Sequence, residues 1–130
     1  MKRDMELVRE ILLALESSDA FDPTLDFLYE TLGAKDDLPA IRNVLWHLQL
    51  MEQARLITLQ WDEFDNWESG SRTLDSVRIR WEGYEFLAEA ANPEIWAGAK
   101  KRAGEAFYSL SIGTLQALLS AVARQTLGLP

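Results

Sequence analysis

Apolar residues recur at helical spacing through the first part of this chain, switch to alternation near its middle, and return to helical spacing towards its end. Over residues 2–17, Met5, Val8, Ile11, Leu12 and Leu15 share one face, and Lys2, Arg3, Glu6, Arg9, Glu10 and Glu16 fill much of the remainder. That spacing predicts an amphipathic helix. Asp22-Pro23 reads as the next helix start, because Asp accepts from first-turn amides and Pro fits the first helical position. Leu25, Phe27, Leu28 and Leu32 give that helix its apolar side, and Gly33 is a fitting stop. Asp37-Leu38-Pro39 opens a third helix over 37–54, with a buried stripe of Ile41, Val44, Leu45, Leu48 and Met51.

Leu56 to Trp61 then reads as a strand of high β-propensity. Residues 62–73 are polar, with Ser-Gly-Ser at their centre, and predict a hairpin loop carrying Phe64 and Trp67. Leu74 to Trp81 returns as a strand, with Val77, Ile79 and Trp81 on one face and Ser76, Arg78 and Arg80 on the other. Glu82 to Ala88 is helical again, Asn92-Pro93 starts a fifth helix, and Ser111 can cap a last one over about 112–127. The fold class expected is α+β, mostly α. It comprises a domain at 1–91 and a helical extension at 92–130 that packs on it or pairs with a second copy. The stripe Leu115, Leu118, Leu119 and Val122 on the last helix favours a homodimer in this reading.

Three helices, a strand, a loop and a strand follow the order of a winged helix-turn-helix. The string HLQLMEQARLITL (47–59) is similar to the junction between recognition helix and strand in such domains, with Ala54 or Arg55 where a Gly is usual. IRWEGYEFL (79–87) resembles the strand-to-helix exit of bacterial winged helices; it keeps Gly83 and has Trp81 in place of a Thr. Over nearly its full length the chain resembles an uncharacterised bacterial and phage-associated family, domain of unknown function 2513. The resemblance rests on the opening MKRDMELVREILLALE, the central HLQL and LI, the WEGYEFL string, and a final helix after SLS. It implies a phage or prophage setting and carries no catalytic residues with it.

Charge changes what that fold is expected to do. The chain has 130 residues, a net charge of −8 and a pI near 4.6. Such a surface repels nucleic acid and anionic membrane at long range. The wing region, 61–75, sets five acids (Asp62, Glu63, Asp65, Glu68, Asp75) against Arg72. There is no cysteine, which removes disulfides, thiolate metal sites and thiol nucleophiles and fits a reducing cytoplasm. No apolar run has the roughly 20 residues of a membrane span, so no membrane association is expected. The basic start is interrupted by Asp4 and Glu6 and does not read as a signal peptide.

Candidate chemistry is sparse. His47, the sole histidine, sits in an apolar helix without a second ligand nearby and reads as structural. The acids at 62–68 lack the spacing of a calcium loop and read as solvated. Lys100-Lys101-Arg102 suits the last turn of a helix. No nucleophile triad, phosphate loop, dinucleotide or zinc motif is present, so neither an enzyme nor a cofactor is expected.

The reading preferred is therefore a binding protein for a protein partner with a basic surface, resembling DNA-mimicking inhibitors of host defence complexes. Its surface would be Asp19, Asp22, Asp26 and Glu30, which have no basic neighbour in their segment, together with Asp62, Glu63, Phe64, Asp65, Trp67 and Glu68. Aromatics dominate protein interfaces, which gives Phe64 and Trp67 their place in this set. The alternative is a winged-helix DNA-binding regulator. It would read bases with Arg42, Asn43, Trp46, His47 and Gln49 and touch the backbone with Arg72, Arg78 and Arg80. The scarcity of phosphate-facing cations counts against it.

Overall fold

The computed structural model describes residues 1–66 and 71–130, with side chains described for 1–62 and 73–130. Among them lie six α-helices and one antiparallel hairpin: α1 (Met5–Glu16), α2 (Leu25–Leu32), α3 (Leu38–Gln53), β1 (Ile57–Asn66), β2 (Ser71–Ile79), α4 (Trp81–Ala90), α5 (Pro93–Ala103) and α6 (Ile112–Thr126). A 3₁₀ helix, Gly104–Ser109, joins α5 to α6. The fold is thus α+β and mostly helical.

Side-chain caps start five of the helices. Asp4, Thr24, Asp37, Asn92 and Ser111 each accept a first-turn amide, which satisfies donors that a helix leaves open. Thr24, not Asp22, begins α2. The Pro23 carbonyl is used elsewhere: it accepts from Val77 N–H at 2.9 Å, and Thr24 bridges Ser76. Residues 23–24 thereby pair with the free edge of β2, and the helix starts one residue after them.

In the hairpin, Ile57 faces Ile79 and Leu59 faces Val77, and all four are buried. The strands run further than the sequence suggests. The predicted loop at 62–73 is strand at 62–66 and again from 71, and only 67–70 lie outside the described residues. Register slips between Gln60–Ser76 and Trp61–Leu74, leaving Asp75 without a partner on β1. β2 also ends earlier than expected. Arg80 N–H donates to the Leu56 carbonyl at 2.9 Å, and Trp81 opens α4 with 75% of its surface exposed instead of closing the strand against the core.

One hydrophobic cluster draws on every helix and both strands. It includes Ile11 and Leu12 of α1, Leu48 of α3, Ile57, Val77, Phe86 of α4, Trp96 of α5, and Leu115 and Leu119 of α6. Of the α6 stripe, Leu115, Leu119 and Val122 are buried against the chain itself and Leu118 is half-buried. Ser120 also donates to the Glu89 carboxylate of α4. The extension at 92–130 accordingly shares the core of 1–91.

Polar ties from α1 fix this arrangement. Arg9 donates from Nε to the Ala90 carbonyl at 2.6 Å and from a terminal nitrogen to Ala91 at 3.3 Å, at the end of α4, with its guanidinium 5.4 Å from the Trp96 ring centre. Glu6 accepts a hydrogen bond from Lys100 of α5. Burial pushes the Glu6 carboxyl up, but the Lys100 hydrogen bond, the Trp96 indole N–H facing it, and the Lys100 and Arg9 charges together hold it below its ordinary value. That indole N–H is buried and completes no full hydrogen bond of its own.

Two outcomes test this packing. A Cβ on Gly83 would sit 2.3 Å from the Leu56 carbonyl oxygen and 2.8 Å from Ile79 Cγ2, whereas one on Gly113 meets nothing within 4 Å. Gly83→Ala should cost about 1–3 kcal/mol through forced separation of α4 from the α3–β1 turn. The melting temperature should drop by roughly 3–10 °C. Gly113→Ala should hold or raise the melting temperature, through helix propensity. The second outcome concerns acid. Glu6 has its pKa lowered in the folded state, so its contribution is present above the unfolded value of 4.5 and is lost as pH falls through the folded value. Urea titrations should show Glu6→Gln less stable than the parent at pH 7. That difference should narrow as the pH falls below 4.5 and close once it passes the folded value.

Candidate functional site

The acids and bases singled out by sequence separate once their partners are known. Asp22 receives a two-pronged bond from Arg78, Nε to Oδ1 at 2.7 Å and a terminal nitrogen to Oδ2 at 3.0 Å. The Arg78 guanidinium also lies 4.4 Å from the ring centre of the exposed Phe21. This bond holds the Asp22 carboxyl below its ordinary range and raises Arg78. Glu30 is paired with Lys35 at 2.8 Å, which lowers the Glu30 pKa and raises that of Lys35. The acids of 19–30 have no basic neighbour within their segment, but Asp22 and Glu30 find one outside it. β2 supplies the base for the first, and the turn after α2 supplies it for the second.

Two bases of the DNA reading, Arg78 and Arg80, are similarly committed. Arg78 is held by Asp22, and Arg80 lies 3.3 Å from Glu82. Lys100 is held by Glu6. His47 is fully buried. Its Nε2 accepts from the Asp4 N–H at 2.9 Å, and its Nδ1 lies 2.8 Å from the Asn43 carbonyl. The first bond requires Nε2 without a proton, so Nδ1 carries the hydrogen and donates. This ring latches α3 to the start of α1 and is closed to a base edge. Trp46 meets it edge-on at 5.2 Å between centroids and is half-buried, as is Asn43. Arg42 and Gln49 remain exposed on α3, and Arg42 makes no ion pair among the described residues. The side chains of Glu63, Phe64, Asp65, Trp67, Glu68 and Arg72 lie outside the described residues.

Asp19 and Asp26 stay exposed, and Asp62 is half-buried. Asp26 lies on a groove of about 340 Å³ between α2 and β2, with Leu25, Tyr29, Thr73, Leu74 and Asp75. Burial raises the Tyr29 pKa, and the nearby Asp26 charge raises it further, so the hydroxyl stays protonated and able to donate. Asp75 is exposed and is the residue that the register slip leaves unopposed on β1. Such slips re-aim side chains. The groove thus presents two carboxylates and a phenol over the half-buried Leu25 and Leu74. Sequence reading grouped Asp75 with the wing acids and gave Tyr29 no part. No periodicity signals a one-residue slip, or that α2 lies beside β2.

Trp81 and Tyr84 are a second surprise. They stand one turn apart on α4, both exposed. Among the described residues no group of three or more His, Cys, Asp or Glu could hold a metal ion, and no helix is long and apolar enough to cross a membrane.

Comparison with known proteins places this geometry in a lineage. An uncharacterized protein of Haemophilus influenzae is 26% identical over 127 residues, covering 98% of this chain and 99% of that one. No solved structure matches. The family model described as hypothetical protein (DUF2513) matches residues 2–108, from ahead of α1 into the 3₁₀ helix, and the chain belongs to that family.

Proposed function

We propose that this protein is a non-enzymatic binding module of winged-helix build, which takes a basic segment of a protein partner into the groove between α2 and β2. The winged-helix reading is supported by the element order: α1, a one-bridge strand at 23–24, α2, α3, then the hairpin. The binding reading rests on one observation, the exposed carboxylates of Asp26 and Asp75 beside a groove floored by leucine side chains. A lysine or arginine stem fits such a floor, and its charged head fits the rim. The Tyr29 hydroxyl, kept protonated, offers a donor to the partner's backbone. With a net charge of −8, encounter with a basic surface is accelerated and encounter with nucleic acid is slowed. A basic, phosphate-binding segment of the partner is what this groove matches, and the module would act there as an inhibitor. Recognition of DNA would have to proceed through Arg42 and Gln49 with little phosphate contact, since Arg78, Arg80 and His47 are engaged within the chain.

The test uses fluorescence anisotropy with three labelled probes: an Arg-rich peptide with interspersed leucines, its Glu-rich counterpart, and a short DNA duplex. The Arg-rich peptide should bind, with affinity falling as salt rises from about 50 to about 300 mM. Asp26→Asn with Asp75→Asn should weaken it by about tenfold or more, while melting stays close to the parent. Tighter binding of the duplex, or unchanged peptide affinity in the double variant, would overturn the reading.

A further inference from the structure

A different cavity, of about 270 Å³, opens where the first residues of α1 and α6 meet the last turn of α3. Its walls are apolar. Met5 and Met51 come from the core, Leu50 from α3 and Ile112 from the start of α6. Two polar side chains, Arg3 and Gln53, stand among this lining. Arg3 is held in place, donating to the Leu110 carbonyl at 2.5 Å. A guanidinium has five N–H donors; this bond takes one, and Arg3 has no carboxylate partner among the described residues.

We propose that this cavity binds a small amphipathic monocarboxylate, with its carboxylate on Arg3 and its hydrocarbon part against Met5, Met51 and Ile112. Three observations fix the ligand's chemistry. Arg3 is the one charged residue in the described lining, in a chain where acids outnumber bases 21 to 13. An anion is therefore attracted at this mouth and repelled over much of the remaining surface. The start of α1 is already occupied by the Asp4 carboxylate, so the positive potential on this side comes from Arg3 and the Ser111-capped start of α6, whereas the C-terminal end of α3 forms the other wall. The carboxylate accordingly lies at the Arg3 side and the tail runs towards Leu50 and Met51. Size sets the last limit. A cavity of roughly 150 Å³ accepts benzene, so this one has room for a chain of about eight to ten carbons. Two unbranched methionine side chains can adjust to its exact shape.

Octanoate is the probe, read through the methionine methyl signals in carbon–proton NMR spectra. The chain has three methionines, and two of them line the cavity. Octanoate should shift the Met5 and Met51 methyls saturably, with a Kd in roughly the millimolar range or below. Octanol should bind about tenfold more weakly. Arg3→Gln should erase that preference and leave the spectrum of the free protein nearly unchanged. Ala54→Leu, at the exposed rim, should weaken both probes by filling the mouth. Equal binding of octanoate and octanol to the parent protein would overturn the proposal, as would tighter binding of octylammonium. So would the lack of a saturable shift, or full octanoate affinity in Ala54→Leu.

Discussion

Arg9 resolves a problem that the end of α4 creates. A helix leaves its last carbonyls without partners, and its C-terminus carries partial negative charge. α4 has no base in its last turn, and Asn92 begins the cap of α5 immediately afterwards. Arg9, on another helix, supplies two donors and a positive charge to the Ala90 and Ala91 carbonyls. It lies against Trp96 as it does so. The α4–α5 corner is thus finished only when α1 is in place. The same helix holds α3 through Asp4 and His47, and α5 through Glu6 and Lys100. Glu6 and Arg9 lie on the part of the α1 surface that the apolar stripe leaves over, and Asp4, the residue that caps α1, uses its backbone N–H. α1 consequently acts as the centre of a single core, and the extension at 92–130 is a structural member of it.

This economy of internal pairs decides which charges face outward. Arg78, Arg80, Lys35 and Lys100 are each engaged with an acid of the same chain. Exposed pairs of this kind add little to stability individually. Their consequence is selective: pairing takes Arg78 and Arg80 from the nucleic-acid reading and leaves Arg42 and carboxylates such as Asp19, Asp26 and Asp75 on the surface. Arg3, like Arg9, is anchored by a backbone carbonyl and not by an acid, but its guanidinium stands at the mouth of a cavity.

Helix order, the α6 boundary and most of the core were legible because amphipathic spacing and Ser, Asp and Asn caps are local signals. The apolar neighbours of His47 suggest a structural role, though not the bond from the Asp4 N–H that the buried ring accepts. The partners of the charges were not. Asp22 looked like a helix cap with no base nearby, yet its partner Arg78 is 56 positions away along the chain. Trp81 looked like the last inward residue of a strand because alternation continues through it. Arg80, still bonded to Leu56, is already the N-cap residue of α4, and helix geometry from Trp81 onward turns the indole outward. The loop at 62–73 was read as too long because polar composition marks exposure as readily as it marks a turn. Arg55 shows the limit of motif reasoning from the other side. It adopts a φ of +64° where a glycine is usual, and the turn forms regardless. Leu56 N–H still reaches the Met51 carbonyl at 3.0 Å, as helix-ending turns of this kind require.

The groove between α2 and β2 draws these strands of argument together. β2 is paired on one edge by β1 and on the other by residues 23–24. The second pairing fixes where α2 begins, and so places Asp26 within its first turn. The first pairing slips at Asp75 and leaves that residue free of β1. The Thr24 cap and the pairing of residues 23–24 with β2 together position Asp26, and the hairpin register positions Asp75. Their charges can therefore be changed without changing the frame, which is why amide substitutions address binding and not folding. A register change in the hairpin would do the reverse, keeping both charges and separating them. A groove defined in this way belongs to the fold, while its charge belongs to the two carboxylates, and the same framework with bases at 26 and 75 would suit phosphate instead.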